Sequence, residues 1–179
     1  PVRHTRYVEA QIGMAVELLE QGRTKEAIAE LLRAYEYPSF LNEAKVNNPV
    51  TTRLDYSLAM AYKKDGQKDN AKKYFLKAIE QEINPASVAV LYKARALKET
   101  GQKKKADTLI SGMLEKLQGD GFASGSAKSD YLLSLLYEFQ GDLERSEQLG
   151  KSAADKLYNV VMEARYESSF LIMEKMSME

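Results

Sequence analysis

The 179-residue chain contains no cysteine and no tryptophan, and only one histidine, His4. Without cysteine there is no disulfide framework and no thiolate metal site. A single histidine leaves no cluster for zinc and no partner for a His-based catalytic pair. No excess of one charge is present: Lys+Arg and Asp+Glu both number 26. That balance argues against a dedicated nucleic-acid binder, which carries a basic excess. No apolar run approaches the roughly 18–20 residues of a membrane helix, and no secretory leader pattern opens the chain. A cytoplasmic location is the expectation. The chain starts at Pro1 rather than Met, so the reading also allows for a fragment of something longer.

Prolines number only four, Pro1, Pro38, Pro49 and Pro85, all placed where they can lie outside helices. Apolar residues recur at three and four almost throughout, the α-helical period, and no stretch alternates with period two. The spacing predicts helix pairs over 5–21 and 24–36, 51–65 and 68–83, 86–100 and 103–117, and 127–140 and 143–157. A last single helix is expected at about 160–177. Two longer connections, 36–50 and the Gly/Ser-rich 118–127, interrupt the pattern without reading as domain linkers. One domain over 1–179 is expected.

What is present is a recurring turn. Gly22, Gly66, Gly101 and Gly141 each separate two amphipathic segments, at intervals of 44, 35 and 40 residues. Each is followed five residues later by a small residue: Ala27, Ala71, Ala106 or Ser146. Self-similarity at such a period marks a helical repeat array, which holds partners rather than performing chemistry.

Within the repeats the residues resemble the tetratricopeptide pattern. The best match is Leu58, Ala59, Tyr62, Gly66, Ala71, Phe75, Ala78 and Pro85. Ala15, Leu18, Gly22, Ala27, Leu31 and Ala34 carry the first repeat. Ala94, Leu97, Gly101, Ala106 and Ile110 carry the third. The fourth departs most, with Gly150 where a bulky residue is usual. Small residues let two helices cross closely, and bulky ones fill the space beside them. The resemblance implies an all-α superhelical solenoid of about four helix-turn-helix repeats (about 5–38, 51–85, 86–118 and 127–158). A capping helix near 160–177, bearing Ala164, Ser168 and Leu171, completes it. A looser resemblance, in ELLRAYEYPSFLNEAK and LYKARALKETGQKKKA, is to the C-terminal repeat region of large bacterial proteins with a sugar-processing-like N-terminal domain. It implies an accessory module that packs on a catalytic domain or dimerises.

The tetratricopeptide resemblance implies that first helices line a concave groove and second helices face outward. Carried over position by position, the groove takes Glu9, Ile12, Val16 and Leu19, then Arg53, Tyr56, Met60 and Lys63. It continues through Leu91, Arg95 and Lys98 to Lys128, Tyr131, Leu135 and Phe139. The expected site is Tyr56, Met60, Lys63, Leu91, Arg95, Lys98, Tyr131, Leu135 and Phe139. Its aromatics, Met and cations suit a peptide with an acidic or carboxylate group and an apolar anchor. Arg95 stands out, because its planar fork takes a carboxylate bidentately. The carboxylate clamp of some family members is not matched, since Ile12, Tyr56, Leu91 and Tyr131 stand where an Asn is needed. The lysines Lys68, Lys72, Lys73 and Lys77 read as a solvated outer face, as do Lys103, Lys104 and Lys105. Tyr35, Tyr37, Pro38 and Phe40 read as loop aromatics packing under the 36–50 connection.

No catalytic constellation emerges. GDGFASGSAK lacks the Gly-Lys-Ser/Thr end of a phosphate loop, and Asp120 has no carboxylate cluster for calcium. The chain is expected to be a non-enzymatic interaction module without cofactor or metal. Its partner is expected to be a protein or peptide, not nucleic acid or membrane, with a second copy or an intramolecular domain as further candidates.

Overall fold

A computed structural model describes residues 2–36, 49–84, 87–119 and 125–156. They form eight α-helices: α1 (Val2–Glu20), α2 (Thr24–Arg33), α3 (Pro49–Lys64), α4 (Lys68–Glu80), α5 (Ala89–Glu99), α6 (Lys103–Gln118), α7 (Ala127–Gln140) and α8 (Leu143–Lys156). No strand occurs among the described residues. No described helix is long and apolar enough to cross a membrane. The expected final helix, Tyr37, Pro38, Phe40, Pro85 and Asp120 lie outside the described residues. Pro49 is not outside a helix: it is the first residue of α3, where its missing N–H has no intrahelical partner to lose.

Each expected helix pair is found as a packed hairpin: α1 with α2, α3 with α4, α5 with α6 and α7 with α8. The chain divides into two compact units, one holding α1 to α4 and the other α5 to α8. In the first, α3 packs on α1 and α2 as well as α4. In the second, α7 packs on α5 and α6 as well as α8. Sequential stacking of helix hairpins is the organisation of a helical repeat.

The turn glycines explain why each hairpin closes so tightly. Gly22, Gly66, Gly101 and Gly141 all have φ between +74° and +87°. At Gly66 the N–H donates to the Lys63 carbonyl at 3.1 Å and the Gln67 N–H to the Tyr62 carbonyl at 2.9 Å. These bonds occupy carbonyls that the helix end leaves open, and they require a left-handed residue between them. A Cβ at Gly66 meets nothing within 4 Å, so only the backbone resists substitution. Gly66→Ala is therefore expected to cost about 1–2 kcal/mol, and Gly66→Asn less. Equal urea midpoints for Ala and Asn at this position would contradict that reading.

Burial divides the helices into two kinds. Second helices are one-sided: α4 buries Ala71, Tyr74, Phe75 and Ala78 and exposes Lys68, Lys72, Lys73 and Leu76. The first helices α3, α5 and α7 are buried far more completely, whereas α1 is one-sided like the second helices, with Val8, Ile12, Ala15, Val16 and Leu19 buried and Arg6, Met14 and Glu17 exposed. Every residue of α3 from Thr52 to Tyr62 is buried, and in α5 every residue from Ala89 to Leu97 except Lys93. The small residues sit where the repeat pattern places them, with Ala59, Ala78 and Ala94 at 0% exposure. α8 is the weakest member, with Ala153 its one buried residue.

Candidate functional site

On α3, Tyr56 and Met60 are buried and Lys63, one turn further, is exposed. The Tyr56 ring meets Phe75 of α4 edge-on, centroids 5.6 Å apart. Tyr56 thus contributes to the contact between the two helices of its hairpin. Arg53, at the start of the same face, is buried and engaged in interactions of its own.

In the second unit, Leu91 and Arg95 of α5 and Tyr131 and Leu135 of α7 are all buried, none more than 7% exposed. Arg95 and Tyr131 are both engaged. Lys98 and Phe139, at the C-terminal ends of α5 and α7, are different. Lys98 is exposed and Phe139 half-buried. The Lys98 ammonium stands 3.7 Å from the centre of the Phe139 ring and donates to the Phe139 carbonyl at 3.4 Å. A cation held over a ring face keeps its charge near apolar surface at modest desolvation cost. Lys98 and Phe139 are therefore brought together at one end of the α5–α7 pair.

A second cluster, with little signal in the sequence, gathers around Asp55. Asp55 lies on α3 at 1% exposure, a carboxylate inside the first unit. Its Oδ1 accepts from the Tyr35 hydroxyl, just past α2, and its Oδ2 accepts from the Gln81 amide, just past α4, at 3.0 Å. Lys77 lies over the rings of Tyr35 and Tyr74, at 5.4 and 4.8 Å. Tyr74 in turn stacks on Tyr62 at 5.5 Å. Lys77 thus departs from the solvated face expected of it, and Tyr35 serves as a donor to a buried acid. Tyr35, Asp55, Lys77, Glu80, Gln81 and Glu82 line a cavity of about 310 Å³.

Burial is the largest influence on Asp55 and pushes its carboxyl above the ordinary value, against the Tyr35 and Gln81 hydrogen bonds and the Lys77 charge. Burial likewise pushes the Tyr35 hydroxyl upward, with the nearby Asp55 charge adding to it. Asp130 of α7 shows the opposite balance. Burial raises it, but hydrogen bonds from Lys156 at 2.5 Å and Ser152 at 2.6 Å prevail and hold the carboxyl below its usual range. The only signal of either cluster in the sequence is an acid inside an apolar helical stretch, LDYSLAMAY and SDYLLSLLY.

Among the described residues, no group of three or more His, Cys, Asp or Glu could hold a metal ion. Residues 56–82 match the tetratricopeptide repeat family model. The match runs from Tyr56 through the Gly66 turn and across α4, the hairpin with the most regular repeat residues. No curated protein sequence matches the chain. Among its described residues the chain is thus an all-helical array of hairpins, and it carries a tetratricopeptide repeat over residues 56–82.

Proposed function

We propose that the chain is a non-enzymatic interaction module whose first-helix face takes an extended peptide segment bearing an acidic group and an apolar anchor. The tetratricopeptide repeat supports the general reading, because such repeats stack helices into surfaces that hold other proteins. The finer reading rests above all on Lys98 over Phe139, an exposed cation seated on an aromatic ring at the end of α5 and α7. A carboxylate pairs with the ammonium while an apolar side chain packs beside the ring. The buried Leu91, Arg95, Tyr131 and Leu135 then set the spacing and rigidity of α5 and α7, and the buried Tyr56 and Met60 serve the packing of α3 within the first unit.

The test uses labelled peptides of about ten residues that carry a carboxylate next to Phe or Leu, read by fluorescence anisotropy on the whole chain. Lys98→Glu is expected to weaken binding about tenfold, and Lys72→Glu on the exposed side of α4 to leave it unchanged. If Lys72→Glu weakens binding as much as Lys98→Glu, the effect is one of bulk charge and the first-helix assignment fails.

A further inference from the structure

Two buried acids stand at the same point of their hairpins and are held differently. Asp55 lies eleven residues before its turn glycine, Gly66, and Asp130 eleven before Gly141. Fifteen residues past Gly141, Lys156 donates to Asp130 Oδ2 at 2.5 Å. Fifteen past Gly66 stands Gln81, a neutral amide, which donates to Asp55 Oδ2 at 3.0 Å. Eleven past the turn, Ser152 donates to Asp130 at 2.6 Å, and the first unit has Lys77 there. The Lys77 ammonium lies over the Tyr35 and Tyr74 rings rather than on the carboxylate. Asp130 is thus bonded directly to a cation, whereas Asp55 receives neutral donors, the Tyr35 hydroxyl and the Gln81 amide. A carboxylate offers about four acceptor positions, and these two donors use half of them. A carboxylate at 1% exposure is costly without a bonded cation, in keeping with the opposite directions in which the two acids are shifted.

We propose that the cavity beside Asp55 binds a primary alkylammonium group, a free amine or the end of a partner's lysine side chain, which bonds Asp55 as Lys156 bonds Asp130. At about 310 Å³ the cavity stands at the lower end of the range for small-molecule sites, so it admits a short stem with a charged head. Its lining brings Glu80 and Glu82, both exposed, to the same side as Asp55, and these three acids outnumber the one lining cation, Lys77. The local field therefore draws positive charge and repels anions. The Tyr35 ring, also on the lining, already faces one ammonium and offers its surface to the stem of another. Lys77 leaves room for such a ligand, because ring contacts hold a cation more weakly than a carboxylate does and the lysine stem is flexible. The site belongs wholly to the first unit. It is independent of the acidic peptide proposed for α5 and α7, and it takes the opposite charge.

The test titrates n-butylammonium chloride into the isotope-labelled full chain at constant ionic strength, followed by amide chemical shifts. Saturable shifts centred on Tyr35, Asp55 and Gln81 are expected, with a Kd of about 1–10 mM. Their absence overturns the proposal. Sodium butyrate, of equal length and opposite charge, is expected to give no saturable shift at these residues. Shifts matching those of the amine would mean a cavity blind to charge and would also overturn it. Gln81→Lys gives Asp55 the kind of partner that Asp130 has, and is expected to weaken n-butylammonium binding about tenfold or more. Asp55→Asn removes the counter-charge and is expected to do the same. Unchanged affinity in a variant that keeps the parent's helical signal overturns the assignment to Asp55. If one variant loses that signal the other decides, and if both do, the contrast of amine with butyrate in the parent decides. A peptide of about eight residues with one lysine among alanine and serine separates the two sources. Binding about tenfold tighter than n-butylammonium, and lost when norleucine replaces the lysine, identifies a partner's side chain. Equal or weaker binding identifies a free amine.

Discussion

Phe75→Ala is expected to lower stability by about 3–5 kcal/mol, the range for emptying a buried aromatic site. Phe75 is 4% exposed on α4 and meets the edge of Tyr56, which is fully buried on α3. The substitution empties a buried site on the inner side of α4, and it breaks an aromatic pair worth about 0.5–1.5 kcal/mol on its own. For a chain of this size the loss corresponds to a fall in melting temperature of roughly 6–20 °C. Phe139→Ala provides the contrast. Phe139 is half-buried and its distinctive contact is the Lys98 ammonium, so about 1 kcal/mol is expected there. Thermal melts followed by circular dichroism check both. A Phe75→Ala chain that melts within about 2 °C of the parent would mean that the first and second helices are not locked by this contact.

The second large effect is at Asp55, where two substitutions are expected to part company. Asp55→Ala removes the acceptor shared by Tyr35 and Gln81 and is expected to cost about 2–4 kcal/mol. Asp55→Asn keeps a carbonyl oxygen for the Tyr35 hydroxyl, and a turn of the Gln81 amide restores the other bond. It also removes a buried charge, so at neutral pH it is expected to match or exceed the parent. The pH dependence has a definite sign. The folded-state pKa of Asp55 is raised, so the folded chain holds this proton more tightly than the unfolded chain. The stabilisation that follows is complete below the unfolded pKa and is lost as pH rises through the folded one. Urea midpoints for parent and Asp55→Asn should therefore converge in favour of the parent as pH falls from about 7.5 towards 4. A gap that stays constant over that range would mean the carboxylate is not titrating as a buried group.

Most of the helical architecture is legible in the sequence, for a physical reason. A repeat states its rule several times, so the Gly turns and the small residues at Ala59, Ala71, Ala78, Ala94 and Ala106 reinforce one another. All five are buried, and the eight described helices begin and end within a few residues of the expected ones. The site was legible only in part. Spacing places Arg95 and Tyr131 on a helical face, but nothing in spacing says what lies over that face. Asp55 escaped for a related reason. Its meaning comes from Tyr35 and Gln81, 20 and 26 residues away, which only the packing of α2 and α4 on α3 brings to one carboxylate. Lys77 belongs in sequence to a run of lysines, the pattern of a solvated face, whereas its neighbours in space are two tyrosine rings.

The central claim is that partners meet the first helices and not the second. The most direct measurement places a photo-reactive group on a bound acidic-apolar peptide and maps where it attaches to the chain. Attachment on α5 and α7, near Lys98 and Lys128, is the predicted result. Attachment on α6 at Lys103, Lys104 or Lys105, with α5 and α7 unlabelled, would contradict the account.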